Sequence, residues 1–455
     1  MPSMLEIAMH LFLQMAVILA VYRLIWPLFR RLGQVQVVAI MVAGFLLGPS
    51  LFGLLWPAAQ QWMFPLTLQV GGETMPHPSL TAIYVIGQLG LVVYMFLVGC
   101  SFDLAILRGH VRQAGATASA GLGVPLLLGG VLGWWLTVHS DEYFTARVAP
   151  WQGALFIASA IAITAFPMLA WIVYDSGLLR TRLGTMALAC AASDDACAWI
   201  LLAIVVATAS GGFAGGGVAL GGGLAFLLFM ILVGRPLLRR VEGWAERRRN
   251  AGETAALPVG PLTVTLTVVL LAAWFTDYVG IYSVFGAFVA GTVMPRGRFV
   301  DALRERAEPL AAYLLLPAFF IYSGLNTKLS LIFEPSVLLV AAVVLVASFV
   351  GKFGAVGLAA HWQGMTWREA GSMGALANAR GLMELILLNI GLSAGLVSQQ
   401  LYTVLAIMAI VTTFAATPLH RMFEWGARRK GLVYGPSGLV PDPTAREPEL
   451  VAGRS

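Results

Sequence analysis

Charge is what this sequence has least of. Only 11% of its 455 residues are Asp, Glu, Lys or Arg, about half the roughly 25% of an ordinary soluble domain. In their place 59% of the chain is hydrophobic and the mean hydropathy is +0.84. This balance excludes a water-soluble globular protein and leaves an integral membrane protein. Cysteine is almost absent too. Cys100, Cys190 and Cys197 lie in or at apolar stretches, without metal-ligand spacing and without the even number that a disulfide framework needs. They read as small packing residues. No basic leader precedes the first apolar run, and Trp26, Pro27 and Arg30 follow it rather than a small-residue cleavage site. It is therefore expected to remain as a span.

What is present in abundance is apolar sequence of one particular length. A hydrocarbon core about 30 Å thick takes roughly 20 helical residues at 1.5 Å each. Thirteen stretches meet that requirement, near 7–27, 36–56, 80–99, 114–137, 151–174, 184–209, 216–238, 259–277, 279–294, 309–327, 336–360, 369–393 and 399–419. The basic residues between them alternate strictly. Arg30 and Arg31, Arg108 and Arg112, Arg180 and Arg182, the "RRVEGWAERRR" loop, Arg296 to Arg306, Arg368, and Arg428 to Lys430 fall on one face, and the other face carries only Arg147 and Lys328. Positive residues mark the cytoplasmic side, so the N terminus is expected outside and the C terminus inside. The net charge of +6 is thus a topology signal, and nucleic acid is not an expected partner. Residues 1–430 form the membrane domain in this reading. Residues 431–455, rich in Pro, Gly and charge, are expected to be a short disordered cytoplasmic tail.

Similar motifs recur seven spans apart. The second span holds "GFLLGPSLFG" and the ninth "GAFVAGTVMP"; the third ends "FLVGCSFDL" and the tenth "YSGLNTKL". An odd offset inverts orientation, so spans 1–6 and 8–13 read as two inverted six-helix repeats joined by the seventh. Secondary transporters are commonly built this way, with substrate bound near the midplane at broken helices. The offset pairs the fifth span with the twelfth. The fifth carries Pro167, which removes a backbone donor, and the twelfth carries Asn378, Arg380, Gly381 and Glu384 at mid-span.

Few charges lie inside the spans. Asp194 and Asp195 sit in "AASDDACAWILLA", Lys352 in "VASFVGKFGAVGLAA", and Arg380 and Glu384 in "GALANARGLMELILLNIG". Each charge costs about 2.5–3.5 kcal/mol to insert at the bilayer centre and so marks function by default. Adjacent helical residues point about 100° apart, so one aspartate is free to face an aqueous cavity while the other meets a structural partner. Burial and a like-charged neighbour both favour a bound proton on a carboxyl, which suits a proton carrier. Lys352 has no acid on its own helix and is expected to pair with one of these aspartates. Arg380 and Glu384, at i and i+4, are expected to neutralise each other. Ser159, Thr164 and Ser193 offer hydroxyls for a dehydrated cation or for their own helix backbone, and Thr164 is favoured because it adjoins the expected break.

Together these stretches, with "TAFPMLAWIV", "FFIYSGLNTKL" and "ARGLMELILLNIGL", make the chain resemble the monovalent cation:proton antiporter-2 family from about residue 15 to 420. The resemblance implies an all-α polytopic fold with crossed broken helices, a scaffold domain that dimerises, and an elevator-like core domain. By the same resemblance Asp195 takes the place of the ion-binding, proton-carrying aspartate, Asp194 the variable position before it, and Thr164 the hydroxyl at the break. An aspartate pair with a lysine on the eleventh span resembles members that move more than one proton per cation. The implied function is exchange of K+ or Na+ for H+ in the cytoplasmic membrane, serving pH and salt homeostasis, without a cofactor and without enzymatic chemistry. Rival readings are a potassium efflux channel, which would lack proton coupling, and an ion-coupled symporter of an organic anion.

Overall fold

A computed structural model describes residues 3–441, apart from 35, 50, 71–72, 102–103, 179–180, 210–212, 251–256, 280–281, 328–330, 332 and 436–437. The chain is helical almost throughout. In order come α1 (Met4–Arg31), α2 (Gln36–Leu47), the short α3 (Phe52–Leu55) and α4 (Pro57–Met63), a small hairpin of β1 (Thr67–Val70) and β2 (Glu73–Pro76), α5 (Pro78–Ser101) and α6 (Leu104–His139). The next are α7 (Pro150–Ala162), α8 (Phe166–Asp175), α9 (Arg182–Ala209), α10 (Phe213–Phe229), α11 (Arg235–Asn250), α12 (Val259–Tyr278) and α13 (Ser283–Val293). Last come α14 (Arg298–Leu310), α15 (Leu316–Leu325), α16 (Pro335–Ser348), α17 (Ala355–Trp362), α18 (Trp367–Ala377), α19 (Leu382–Ser393) and α20 (Gln399–Arg428). Single π-helical turns join α10 to α11, α14 to α15 and α16 to α17.

Each of the thirteen expected spans falls on one of these helices or on a consecutive pair. Among the described residues nine helical stretches are long and apolar enough to cross a membrane. Their apolar residues point outward as well as inward. On α16 and the π turn after it, Leu339, Val343, Val346 and Val350 form an exposed stripe at helical spacing, the inverse of a water-soluble helix and the pattern that hydrocarbon solvent allows.

The inverted repeat is visible in how glycines bring backbones together. On α2, a β-carbon at Gly44 would lie 2.4 Å from the Phe320 carbonyl of α15, and one at Gly324 would lie 2.2 Å from the Gly44 carbonyl. On α13, a β-carbon at Gly291 would lie 2.1 Å from the Phe96 carbonyl of α5, and one at Gly99 would meet Phe288 at 2.3 Å. The α2–α15 contact in one pair of spans therefore has its counterpart in α13–α5. Only glycine permits such approach, which explains the small-residue motifs that gave the seven-span offset.

The same offset relates α7 and α8 to α18 and α19. Both expected breaks are present, and the two extended segments cross, with the Ala165 amide donating to the Ala379 carbonyl at 3.1 Å. The first break lies at residues 163–165, and Pro167 is the second residue of α8. Proline is tolerated there because a first-turn amide has no helical partner to lose. Pro167 thus opens the second half-helix after the chain has already left the first. Buried apolar residues form one large group around α7–α9 and α18–α20 and a second around α10 and α12–α14.

One expectation needs correction. The segment from 431, expected to be disordered, folds through Pro441 into an antiparallel hairpin of β3 (Leu432–Gly435) and β4 (Gly438–Pro441). The hairpin docks on the helical body: the Leu439 amide donates to Glu369 Oε1 at 3.1 Å, and the Tyr434 ring stacks on His420. Its composition suggested disorder, but an acceptor on α18 and an aromatic seat on α20 supply what the segment lacks alone. Residues 442–455 lie outside the described residues.

Candidate functional site

Breaking α7 at Ala162 leaves its last carbonyls without helical donors and concentrates the negative end of the helix dipole in the interior. Two cations meet that end. Arg380, in the opposite break, donates through Nη1 and Nη2 to the carbonyls of Ala160 and Ile161 and reaches Ser348 Oγ at 2.7 Å. Lys352 Nζ donates to the Ala162 carbonyl at 2.5 Å. Lys352 itself lies in the π-helical turn between α16 and α17, a departure from α geometry frequent at functional sites.

The lysine has two further acceptors. One is the Gly121 carbonyl of α6 at 2.9 Å. Pro125, four residues on in the same helix, has no N–H to give that carbonyl, so the lysine supplies the missing donor. The other is Asp194 Oδ2, at 2.6 Å. All three ammonium hydrogens are thereby engaged, and both partners are buried, Lys352 at 0% and Asp194 at 4% exposure.

Thr164, in the extended segment of the first break, places Oγ1 3.0 Å from Asp194 Oδ2 and 3.0 Å from the Ala377 carbonyl that ends α18. Its one hydrogen serves one of these at a time, so the hydroxyl joins the aspartate helix to both breaks. Among the described residues Asp194 Oδ1 has no hydrogen-bond partner. A small cavity with room for about one water adjoins Asp194 and Thr164 and is lined also by Thr117, Cys190, Val356 and Met373.

The sequence-predicted residues separate clearly. Asp194, Thr164 and Lys352 come together. Asp195 follows in α9, but its side chain lies outside the described residues, as does that of Pro167. Arg380 and Glu384 form the expected pair at 3.4 Å, yet the shorter bonds of the arginine go to the end of α7 and to Ser348, and Thr413 Oγ1 accepts from its amide at 3.0 Å. Asn378 is wholly buried, and among the described residues neither amide atom has a hydrogen-bond partner; buried amides of this kind are commonly served by ordered water. Ser159 and Ser193 donate to the Leu155 and Ala189 carbonyls of their own helices, which is the local alternative that hydroxyls in helices have. Among the described residues no group of three or more His, Cys, Asp or Glu side chains is disposed to hold a metal ion.

Sequence reasoning missed the Gly121 and Ala162 carbonyls and Ser348. Pro125 in "GLGVPLLLGG" was the available signal for the first, because a proline inside a helix frees the carbonyl four residues before it.

The profile of the family described as sodium/hydrogen exchanger, transmembrane, matches residues 16–425. The Na+/H+ antiporter NhaS4 of Synechocystis is 38% identical over 405 residues, covering 89% of this chain and 94% of that protein. The K+/H+ antiporter 1 of Saccharomyces cerevisiae is 30% identical over 425 residues, and the chain spans only about half of it, 47%. The sodium proton antiporter MjNhaP1 of Methanocaldococcus jannaschii has the same fold, with a TM-score of 0.58 at 16% identity over 94% of this chain and 97% of that one.

Proposed function

The chain belongs to the sodium/hydrogen exchanger family of transmembrane proteins, and from that premise we propose that it is a secondary antiporter exchanging a monovalent cation, K+ or Na+, for H+ by alternating access. The observation that carries the proposal is the buried Asp194 carboxylate at the crossing of two broken helices. Its Oδ2 is held by Lys352 and Thr164, and among the described residues its Oδ1 is left open.

With Lys352 charged and both aspartates ionised, the site has one negative charge in excess. One proton or one monovalent cation neutralises it, and low dielectric makes holding both costly. Competition for that charge is the coupling. Asp195, next to Asp194 in α9, is the carrier in this reading, alternately protonated and cation-bound. Asp194 and Thr164 supply oxygens beside it, and Lys352 is the counter-charge that an arriving cation displaces. A lysine that yields its proton on displacement, as an arginine would not, adds a second proton per cation. Arg380, Asn378 and Glu384 support the break. The paired relatives, one named for Na+ and one for K+, keep both ions in the proposal.

The reading extends to a homodimer in the cytoplasmic membrane, N terminus outside, with the membrane domain reaching about residue 430 and moving as a core against a scaffold. Proteoliposomes containing wild type or Asp195→Asn, with proton movement followed by an internal dye after adding K+ or Na+, test it. Cation-triggered proton flux lost in the variant is the expected result; equal flux in both would remove Asp195 from the mechanism.

A further inference from the structure

We propose that the hydrogen bond between Thr117 and Gln363 is the latch on the route between the basic face of the protein and the ion site. The inference rests on the reading of Asp194 as part of that site.

The cavity beside Asp194 extends in one direction. Cys190 is one turn before Asp194 on α9, Val356 one turn past Lys352 toward the end of α17, and Met373 one turn before Ala377 on α18. Each step is about 6 Å along its helix. All three lead toward the same ends, those at Arg182, Trp362 and Trp367, where the basic residues that mark the cytoplasmic face gather. Thr117 of α6 lines the cavity and is wholly buried.

Gln363, which ends α17, is partly exposed, and its Nε2 donates to Thr117 Oγ1 at 2.7 Å. Its carbonyl lies 3.5 Å from Nη2 of Arg182, the first residue of α9. Gln363 thus ties the turn that leads into α18 to α6 through its side chain and to the aspartate helix through its carbonyl, and the residue it holds on α6, Thr117, lines the cavity. Space for about one water does not pass a hydrated cation. The route opens when Gln363 leaves Thr117.

Cys190 reports on the latch independently of transport. In a Cys100→Ser, Cys197→Ser background, inside-out vesicles are treated with a small cationic thiosulfonate. Gln363→Ala is expected to speed modification of Cys190 about two- to tenfold, the change from losing one hydrogen bond in an opening equilibrium. An unchanged rate, or reaction only from the opposite face, overturns the latch. In the second arm Thr117→Cys with Gln363→Cys is oxidised. Cross-linking that stops exchange, with recovery on reduction, supports the latch; a cross-link with undiminished exchange, or no cross-link between two such close side chains, overturns it. If Cys190 becomes more reactive in Gln363→Ala while no protein in the series shows cation-coupled proton flux, the latch stands and the antiport reading falls.

Discussion

Replacing Lys352 with methionine keeps the length and apolar stem of the side chain and removes only its charged head. In wild type that head satisfies Asp194 Oδ2 at 2.6 Å, the Ala162 carbonyl at 2.5 Å and the Gly121 carbonyl at 2.9 Å. The two carbonyls have no ready substitute, because Pro125 cannot serve Gly121 and Ala162 ends its helix; Asp194, 4% exposed, is left with the Thr164 hydroxyl that it shares with the Ala377 carbonyl. Orphaning one member of a buried ion pair costs about 3–5 kcal/mol, and the two stranded carbonyls place Lys352→Met at the upper end of that range. Adding Asp194→Asn removes the unpaired charge and reduces the deficit to about 1–3 kcal/mol, the scale of unsatisfied neutral groups. The double variant should therefore be more stable than Lys352→Met alone. Arg304→Met is the control, because Arg304 pairs with Glu308 at 3.0 Å with half its side chain exposed, where an ion pair contributes about 0–1 kcal/mol. Apparent melting midpoints in detergent, measured at one scan rate, should fall in the order wild type, Arg304→Met, double variant, Lys352→Met. A Lys352→Met protein that melts with the Arg304→Met control, or a double variant below the single, would refute the pairing.

Thr164→Val removes the hydroxyl shared by Asp194 and the Ala377 carbonyl at nearly constant volume; a loss of about 1–2 kcal/mol in stability is expected, with a several-fold rise in half-saturating cation and a smaller change in maximal flux, both read from flux titrations. Gly438 has φ +124° and a β-carbon there would lie 3.0 Å from Glu369 Oε1, so Gly438→Ala should weaken hairpin docking by about 1–2 kcal/mol and speed tryptic cleavage at Arg428 to Lys430. His77, in the loop before α5, is held below its ordinary value of 6.5 by burial and by His10. A depressed value in the folded state gives stability that is present above 6.5 and lost as pH falls toward the folded value. Wild type should therefore lose more of its melting midpoint between pH 7.5 and 5.5 than His77→Gln does.

Hydropathy made the helices legible because a bilayer imposes a single length on them, and the seven-span offset made their pairing legible because close packing demands glycine at Gly44, Gly99, Gly291 and Gly324. The pairing of Lys352 with Asp194 was within reach of elimination, since few buried acids were open to it. Which of the two aspartates it meets depends on helix rotation, set by packing rather than pattern. The first break was legible through Pro167, which opens α8 after the chain has left α7 in the extended segment before it. The roles of the Ala160, Ile161 and Ala162 carbonyls were invisible, since a backbone acceptor has no letter in the sequence. Arg380 was read through its near neighbour Glu384 for the same reason: i, i+4 spacing is visible in a sequence, and a helix end 220 residues away is not. The C-terminal hairpin was missed because its stability comes from Glu369 and His420, not from its own composition.

A proton and a cation that compete for one buried carboxylate site leave their mark on transport currents or flux measured over a grid of pH and cation concentration. Competition predicts that half-saturating cation rises about tenfold per unit of falling pH for each proton the cation displaces, and so about a hundredfold where Asp195 and Lys352 both release one, while maximal flux at saturating cation stays constant. Half-saturation that ignores pH while maximal flux collapses would place proton and cation at separate sites and contradict the account.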